Sequence, residues 1–169
     1  PAESIRVALN IRAYSHYRLN RFEEALPDCD LVLKKRPQLE TWLIQGCSLL
    51  ELGRFAEAVQ SFEKAAAHSF SCSDAWYWLG YIKATCPDPS LRDGEKAVEF
   101  CERACRQTRL TNWRFLSGLA AAWAECGNFE KAVHFASKSL ELAPEEEKAQ
   151  RQTRVDQYRN RRPFRHGDA

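Results

Sequence analysis

The chain has 169 residues, of which 44% are hydrophobic and 28% are charged, and its formal net charge is +2. This composition is that of a folded globular protein and excludes a disordered tail. The longest run without a polar side chain covers residues 75–82, far short of the roughly 20 residues that cross a bilayer, so no membrane span or membrane partner is expected. Methionine is absent, so we expect a processed protein or a segment cut from a longer one.

Four sequence units follow one another along the chain, and the pattern of each one predicts a pair of helices. Apolar residues recur at three- and four-residue intervals, as in Leu116, Leu119 and Trp123, which is the spacing of an amphipathic helix. Pro27 lies within the second predicted helix and should bend it or delay its start. The turns between paired helices are predicted at Leu19-Asn20, Gly53, residues 87–94 and Gly127-Asn128. The predicted repeats are residues 6–38, 39–72, 73–112 and 113–144, followed by a capping helix over 145–159 and a basic tail over 160–169.

Small residues recur in phase with these units. One set is spaced by 33, 39 and 35 residues and comprises Ala25, Ala58, Ala97 and Ala132. The other is spaced by 33, 34 and 40 residues and comprises Ala13, Gly46, Gly80 and Ala120. Two helices approach closely only where a facing side chain is small. A bulky residue at Gly80 or Ala120 should therefore disrupt the packing of its unit.

The motifs around these positions are those of a known repeat. Trp76-Tyr77-Trp78-Leu79-Gly80 opens one unit, Ala58 precedes Phe62 by four residues, and Pro37 and Pro144 close units. The chain therefore resembles the tetratricopeptide repeat family. The resemblance implies an all-α, right-handed α-α superhelical solenoid of four helix pairs plus a C-terminal capping helix. Residues 84–94, 120–125, 144–147 and 158–165 are further similar to repeat modules of planctomycete-type bacteria.

The resemblance also implies an interaction site. In this family the first helix of each unit lines a concave groove that receives a peptide or a partner protein. The matching positions are Asn10, Tyr14, Tyr17, Leu43, Ile44, Cys47, Tyr77, Trp78, Tyr81, Arg114, Ser117 and Ala121. Chaperone-binding members clamp a carboxylate with Lys, Arg and Asn, but the matching positions here are Asn10, Tyr14, Ile44, Asp74 and Trp78. The carboxylate clamp is therefore absent.

The centre of the predicted groove is aromatic. Tyr77, Trp78 and Tyr81 are residue types that anchor interfaces, because each buries a large area with few rotatable bonds. The alternative is that some of them only pack against a neighbouring unit. We expect apolar side chains of a peptide to dock on them.

The residues that carry chemistry are scattered rather than clustered. Seven cysteines occur without a CxxC pair, and the four histidines never take an HxxxH spacing, so neither disulfides nor zinc are predicted. We expect the cysteines, including Cys86 and Cys126, to fill small buried sites in a cytoplasmic protein. Only Cys47, on the groove, is predicted to be reactive. Neither catalysis, nor a cofactor, nor a metal site is expected.

The C-terminal end is strongly basic and leaves alternatives open. Residues 148–166 contain seven Lys or Arg and one acidic residue. Such a run usually forms a solvated face, although basic residues near Phe164 could bind nucleic acid. The favoured prediction is a protein or peptide partner, with self-association as a further outcome. A nucleic-acid-binding module, or a regulatory segment of a larger enzyme such as a kinase, is the alternative.

Overall fold

The computed structural model describes residues 2–167. Within them the chain is all-α, and its helices are α1 (Ala2–Arg18), α2 (Phe22–Lys35), α3 (Leu39–Glu51), α4 (Phe55–His68), α5 (Ser73–Thr85), α6 (Gly94–Gln107), α7 (Trp113–Glu125), α8 (Phe129–Leu142) and α9 (Glu145–Arg159). None of these helices is both long and apolar enough to cross a membrane. The chain forms two compact units, unit 1 up to Ala75 and unit 2 from Trp76 onward.

The turns inside three of the helix pairs adopt the same backbone conformation. Asn20, Gly53 and Gly127 have φ values of 57°, 72° and 76°, the left-handed conformation that commonly ends a helix. The next amide then bonds back to the helix, as in Arg54 N to the Leu49 carbonyl at 2.8 Å and Asn128 N to the Trp123 carbonyl at 2.9 Å. This closure satisfies carbonyls at the helix end, and the predicted turn positions are confirmed.

Pro27 does not delay α2, so that part of the prediction is wrong. The helix begins at Phe22 and runs unbroken to Lys35 with Pro27 inside it. Proline removes one intrahelical hydrogen bond. Ala25 and Cys29, on either side of it, are fully buried, and this packing holds the helix together.

Unit 1 is built around the small residues of α1, α2 and α3. Ala13 and Cys29 are fully buried beside Ile44. Gly46 lies on Phe62, so that a methyl group added at Gly46 would come within 2.6 Å of the ring. The glycine is therefore required by the close approach of α3 to α4.

In unit 2, Gly80 and Gly118 allow the same kind of close approach. A Cβ atom on Gly80 would lie 2.5 Å from the Cys101 sulfur and 3.0 Å from the Ala97 carbonyl oxygen, which brings α5 against the α6 backbone. A Cβ atom on Gly118 would lie 2.7 Å from the Tyr77 ring. The predicted role of Gly80 as a close-contact residue agrees with this geometry.

The long connection between α5 and α6 is an ordered loop of unit 2. It contains a single 3₁₀ turn, Pro89–Leu91, which Asp88 caps by accepting a hydrogen bond from the Ser90 amide. The Arg92 guanidinium donates to the Cys86 carbonyl at 2.9 Å, and the Asp93 amide donates to the Lys83 carbonyl at 2.9 Å. The loop of residues 87–93 thus folds back on the end of α5.

The basic tail is a solvated extension only in part: residues 160–162 and 167 are exposed, as expected, whereas Phe164 is buried, which corrects the expectation there. Residues 168 and 169 lie outside the described part of the chain. Phe164 is 8% exposed and packs with Val155 and Tyr158 of α9 against Ala120 and Ala124 of α7. Burying this much apolar surface outweighs the solvation of the neighbouring charges. Phe164 therefore belongs to the core of unit 2.

Candidate interaction site

The predicted groove residues of unit 1 are mostly engaged in its own packing. The Asn10 carboxamide oxygen accepts a hydrogen bond from the buried Thr41 hydroxyl at 2.8 Å, which ties α1 to α3. Ile44 and Cys47 are both 8% exposed, and Tyr17 hydrogen-bonds the Cys47 sulfur. These contacts engage the polar groups of Asn10 and Tyr17 within the unit, and Ile44 and Cys47 offer little surface to a ligand.

Tyr14 and Leu43 are the predicted groove positions of unit 1 that offer side-chain surface. Tyr14 is 47% exposed, and its hydroxyl accepts a hydrogen bond from Arg18 at 2.9 Å. Leu43 is half-buried. Tyr14 lies on an exposed stripe of α1 that also carries Ile11 and Val7, about one and two turns earlier along the helix.

In unit 2, Tyr77 is a core residue rather than a groove residue. Its ring stacks on Phe115 with centroids 5.1 Å apart and covers Gly118. Only 9% of Tyr77 is exposed, and burial raises the pKa of its phenol well above the usual range. Tyr77 was predicted as a peptide anchor, but the close approach of α5 and α7 takes it out of solvent. Ala121, at 4% exposure, is buried in the same way.

The other predicted residues of unit 2 remain at the surface, and we call them the α5–α7 face: Trp78, Tyr81, Arg114 and Ser117. The Trp78 and Tyr81 rings meet edge to face, with centroids 5.7 Å apart, and both are half-buried. Arg114 is exposed, and Ser117 accepts a hydrogen bond from Arg151 of α9 at 2.9 Å. The face thus combines aromatic surface with a cation.

Sequence reasoning missed the residue at the centre of the polar contacts, which is Glu125. Its carboxylate accepts hydrogen bonds from Arg92 Nε at 3.0 Å and Arg165 Nη2 at 2.7 Å. All three side chains are less than a quarter exposed, so solvent screens the pairs only partly. Arg92, Glu125 and Arg165 lie in segments that are similar to planctomycete-type modules. That similarity does not predict that the three side chains meet.

The cysteines offer no activated nucleophile. Burial raises the pKa of Cys29, Cys47 and Cys105 to about 12, and the same cause raises that of Cys101 well above its ordinary value. A raised pKa leaves almost no thiolate near neutral pH. The prediction that Cys47 is reactive is therefore wrong, because its groove position faces the interior of unit 1.

Cys126 is the one exposed cysteine among the seven, which corrects its assignment to a buried site. Desolvation first, and then the carboxylates of Glu95, Glu125 and Asp93, raise the pKa of its thiol above 9.0. We expect a disulfide reagent to modify one thiol rapidly in the native chain and all seven after denaturation. Because the thiolate fraction grows about tenfold per pH unit below the pKa, the rate should still be rising at pH 9.

The measurement is a timed thiol titration of the native chain between pH 7 and pH 9. The variant Cys126→Ser is the control and should lose the rapid phase entirely. Two or more rapidly modified thiols, or a rate that levels off below pH 8, would contradict this assignment.

Across residues 2–167, no three His, Cys, Asp or Glu side chains are grouped so that they could hold a metal ion. The polar groups that do converge form two ion pairs on one carboxylate: Arg92 and Arg165 both pair with Glu125. Their geometry is that of a binding or structural contact.

Comparison with known proteins identifies the repeat. Residues 44–85 match the tetratricopeptide repeat family, so the resemblance predicted from the motifs is confirmed. No curated protein sequence matches the chain.

Solved structures of MamA share the fold. The crystal structure of MamA protein has a TM-score of 0.69 at 19% identity and covers 92% of this chain and 88% of its own. MamA from Desulfovibrio magneticus RS-1 has a TM-score of 0.67 at 19% identity, with coverages of 92% and 88%. A MamA mutant has a TM-score of 0.68 at 15% identity, with coverages of 94% and 99%. The predicted all-α solenoid fold is confirmed.

Proposed function

We propose that this chain, which carries tetratricopeptide repeats, is a non-catalytic interaction module that binds an extended segment of a partner protein on its first helices. One observation carries the proposal. In unit 2, residues 162–165 have no helical or turn structure, and this segment lies against α5 and α7. A non-helical segment packed against the ends of α5 and α7 supports the use of these first helices as a peptide-binding surface.

The α5–α7 face has the surface chemistry for such a partner. Trp78 and Tyr81 are half-buried aromatic residues in mutual contact, so they are rigid and lose little side-chain entropy on binding. The exposed Arg114, whose guanidinium lies 5.3 Å from the centroid of the Trp113 ring, adds a cation to the same face. A partner with an apolar side chain and a nearby carboxylate or carbonyl fits this combination.

The test is selection of peptides from a random displayed library on the full chain, followed by affinity measurement with two variants. Trp78→Ala should weaken a selected peptide at least tenfold, as expected of an aromatic anchor. The matched control is Trp76→Ala, a tryptophan two residues away in the same helix. The Trp76 ring instead contacts Phe100 of α6 at 5.4 Å, so this control should leave the affinity within about twofold.

Failure to enrich any peptide would contradict the proposal. So would a selected peptide that loses affinity with Trp76→Ala and keeps it with Trp78→Ala. Both variants need melting curves like that of the parent chain, since Trp78 packs partly against the unit 2 core.

The nucleic-acid alternative finds less support in the structure. Arg165 pairs with Glu125, Arg159 pairs with Asp156 at 3.2 Å, and Arg161 lies over the Phe129 ring at 5.7 Å. Cations engaged in this way are less available to phosphates. Self-association through the same face remains a prediction of the peptide-binding proposal.

A further inference from the structure

We propose that unit 2 contains a recognition site for peptides in which an aromatic residue is followed directly by arginine, and that the chain's own Phe164 and Arg165 fill it in the free protein. The inference rests on the proposed function and names the chemistry of the partner. The site lies where α5 and α7 end. We call residues 163–167 the docked tail.

The aromatic half of the site is an apolar pocket. Phe164 is 8% exposed and lies among Ala120 and Ala124 of α7 and Val155 and Tyr158 of α9. Small residues on α7 leave the room that a ring needs, and Val155 and Tyr158 of α9 belong to the same buried cluster. Burial of the phenylalanine ring removes apolar surface from water, which favours docking of an aromatic residue here.

A cation covers the aromatic ring. The Arg154 guanidinium carbon lies 3.1 Å from the centroid of Phe164, a geometry that attracts the electron-rich face of an aromatic group. An aliphatic side chain in the same pocket would lose this contribution. The pocket therefore selects an aromatic residue over an aliphatic one of similar volume.

The half of the site that receives arginine is the Glu125 carboxylate, which the fold holds in position. Arg165 Nη2 lies 2.7 Å from Glu125, and its Nη1 donates to the Ala84 carbonyl at 3.3 Å. Arg92 donates to the same carboxylate and to the Cys86 carbonyl, so Glu125 is oriented from the loop side independently of the tail. A guanidinium fits this arrangement because its several N–H groups can reach two acceptors at once.

The end of α5 then fixes the peptide backbone. The His166 amide donates to the Thr85 carbonyl at 2.8 Å, one of the last carbonyls of α5, which have no partner within the helix. The His166 ring meets Tyr81 edge to face at 5.9 Å, with Nδ1 3.1 Å from the tyrosine hydroxyl. Tyr81 belongs to the α5–α7 face, so the site is continuous with the proposed binding surface.

These contacts have the features of peptide recognition. Most of the site, namely Ala84, Thr85, Ala120, Ala124 and Glu125, belongs to helices that precede α9, and Arg92 holds Glu125 without help from the tail. In these contacts the tail supplies the side chains of Phe164, Arg165 and His166 and the His166 amide, all of which a separate peptide could supply. Because the tail is tethered, a peptide of the same chemistry competes against a high effective concentration. We therefore expect the site to be closed to weak ligands in the intact chain.

The experiment uses the full chain with Phe164→Ala and Arg165→Ala combined, which should release the docked tail. The probe is a fluorescent peptide of residues 161–166, Arg-Arg-Pro-Phe-Arg-His, and the measurement is fluorescence anisotropy. The released variant should bind the peptide at least tenfold more tightly than the parent chain does. A peptide carrying Phe164→Ala or one carrying Arg165→Ala should show no saturable binding.

Two further variants locate the peptide. Adding Glu125→Gln to the released variant should weaken binding at least tenfold, because the guanidinium loses its carboxylate. Adding Arg103→Ala is the control and should leave binding unchanged, since Arg103 lies over Trp76 at 3.8 Å. Should the double variant fail to melt cooperatively, Phe164→Ala alone replaces it, because it empties the aromatic pocket while Arg165 keeps its contact with Glu125.

A folded released variant that does not bind the peptide would overturn the inference, as would equal binding by the parent and released chains. Equal binding with Glu125→Gln would overturn it too. None of these outcomes changes what library-selected peptides do with Trp78→Ala, so failure of this inference is distinguishable from failure of the proposed function.

Discussion

Replacing Gly80 by leucine is expected to cost about 4 kcal/mol or more of the free energy of unfolding, and so to abolish the cooperative melting of unit 2. The first added atom would already lie 2.5 Å from the Cys101 sulfur and within 3.1 Å of backbone atoms of Ala97 and Cys101. Backbone cannot move aside as a flexible side chain can, so α5 and α6 would have to separate. Thermal denaturation followed by circular dichroism measures the effect.

A milder pair of variants checks the cause. Overpacking by Gly80→Ala should lower the free energy of unfolding by about 1–3 kcal/mol. The higher helix propensity of alanine should offset up to about 1 kcal/mol of this loss. Combining Gly80→Ala with Cys101→Ala removes the sulfur and should cost less than the sum of the single changes, since the two sites touch. Full additivity, or an unshifted melting curve for Gly80→Leu, would contradict the close packing of α5 on α6.

Replacing Tyr77 by alanine is expected to destabilise the protein by about 3–5 kcal/mol, the usual cost of deleting a buried aromatic side chain. The ring is stacked on Phe115, lies 4.8 Å from Trp78 between centroids, and fills the space over Gly118. Its loss would leave a cavity between α5 and α7 that neither helix can close without moving the other. Chemical denaturation of the variant gives the free energy directly.

Tyr14→Ala is the matched control, because it makes the same change at another position predicted for the groove. Tyr14 is 47% exposed on α1, so its removal should change stability by no more than about 0.5 kcal/mol. Similar losses for the two variants would mean that Tyr77 is not the core residue described above.

The repeat motifs predicted the fold because they are local and redundant. Small residues at Gly46 and Gly80, and turns such as Gly53, each specify a close contact or a left-handed bend by their own chemistry. Four copies in phase then make the helix-pair arrangement difficult to mistake. Pro27 shows the limit of local reasoning, because tertiary packing of α2 outweighs the one hydrogen bond that proline removes.

The candidate site was predictable only in part, for a physical reason. Helical register places Tyr77, Trp78 and Tyr81 on neighbouring sides of α5, and their burial depends on what α7 brings against them. Gly118 admits Tyr77 to the interior and leaves Trp78 at the surface, which the family pattern alone does not specify. The docked tail depends on a contact between Glu125 and Arg165, which lie 40 residues apart, and no periodicity reports such a pair.

Binding of a partner to the first helices of unit 2 can be tested directly. Each of the five tryptophans has one indole N–H whose NMR signal reports on its surroundings. The measurement is a two-dimensional NMR titration of the indole N–H signals of the ¹⁵N-labelled chain with a library-selected peptide. We expect the Trp78 signal to shift strongly while that of Trp76, packed against Phe100 of α6, stays in place. A shift of Trp76 with no change at Trp78 would contradict it.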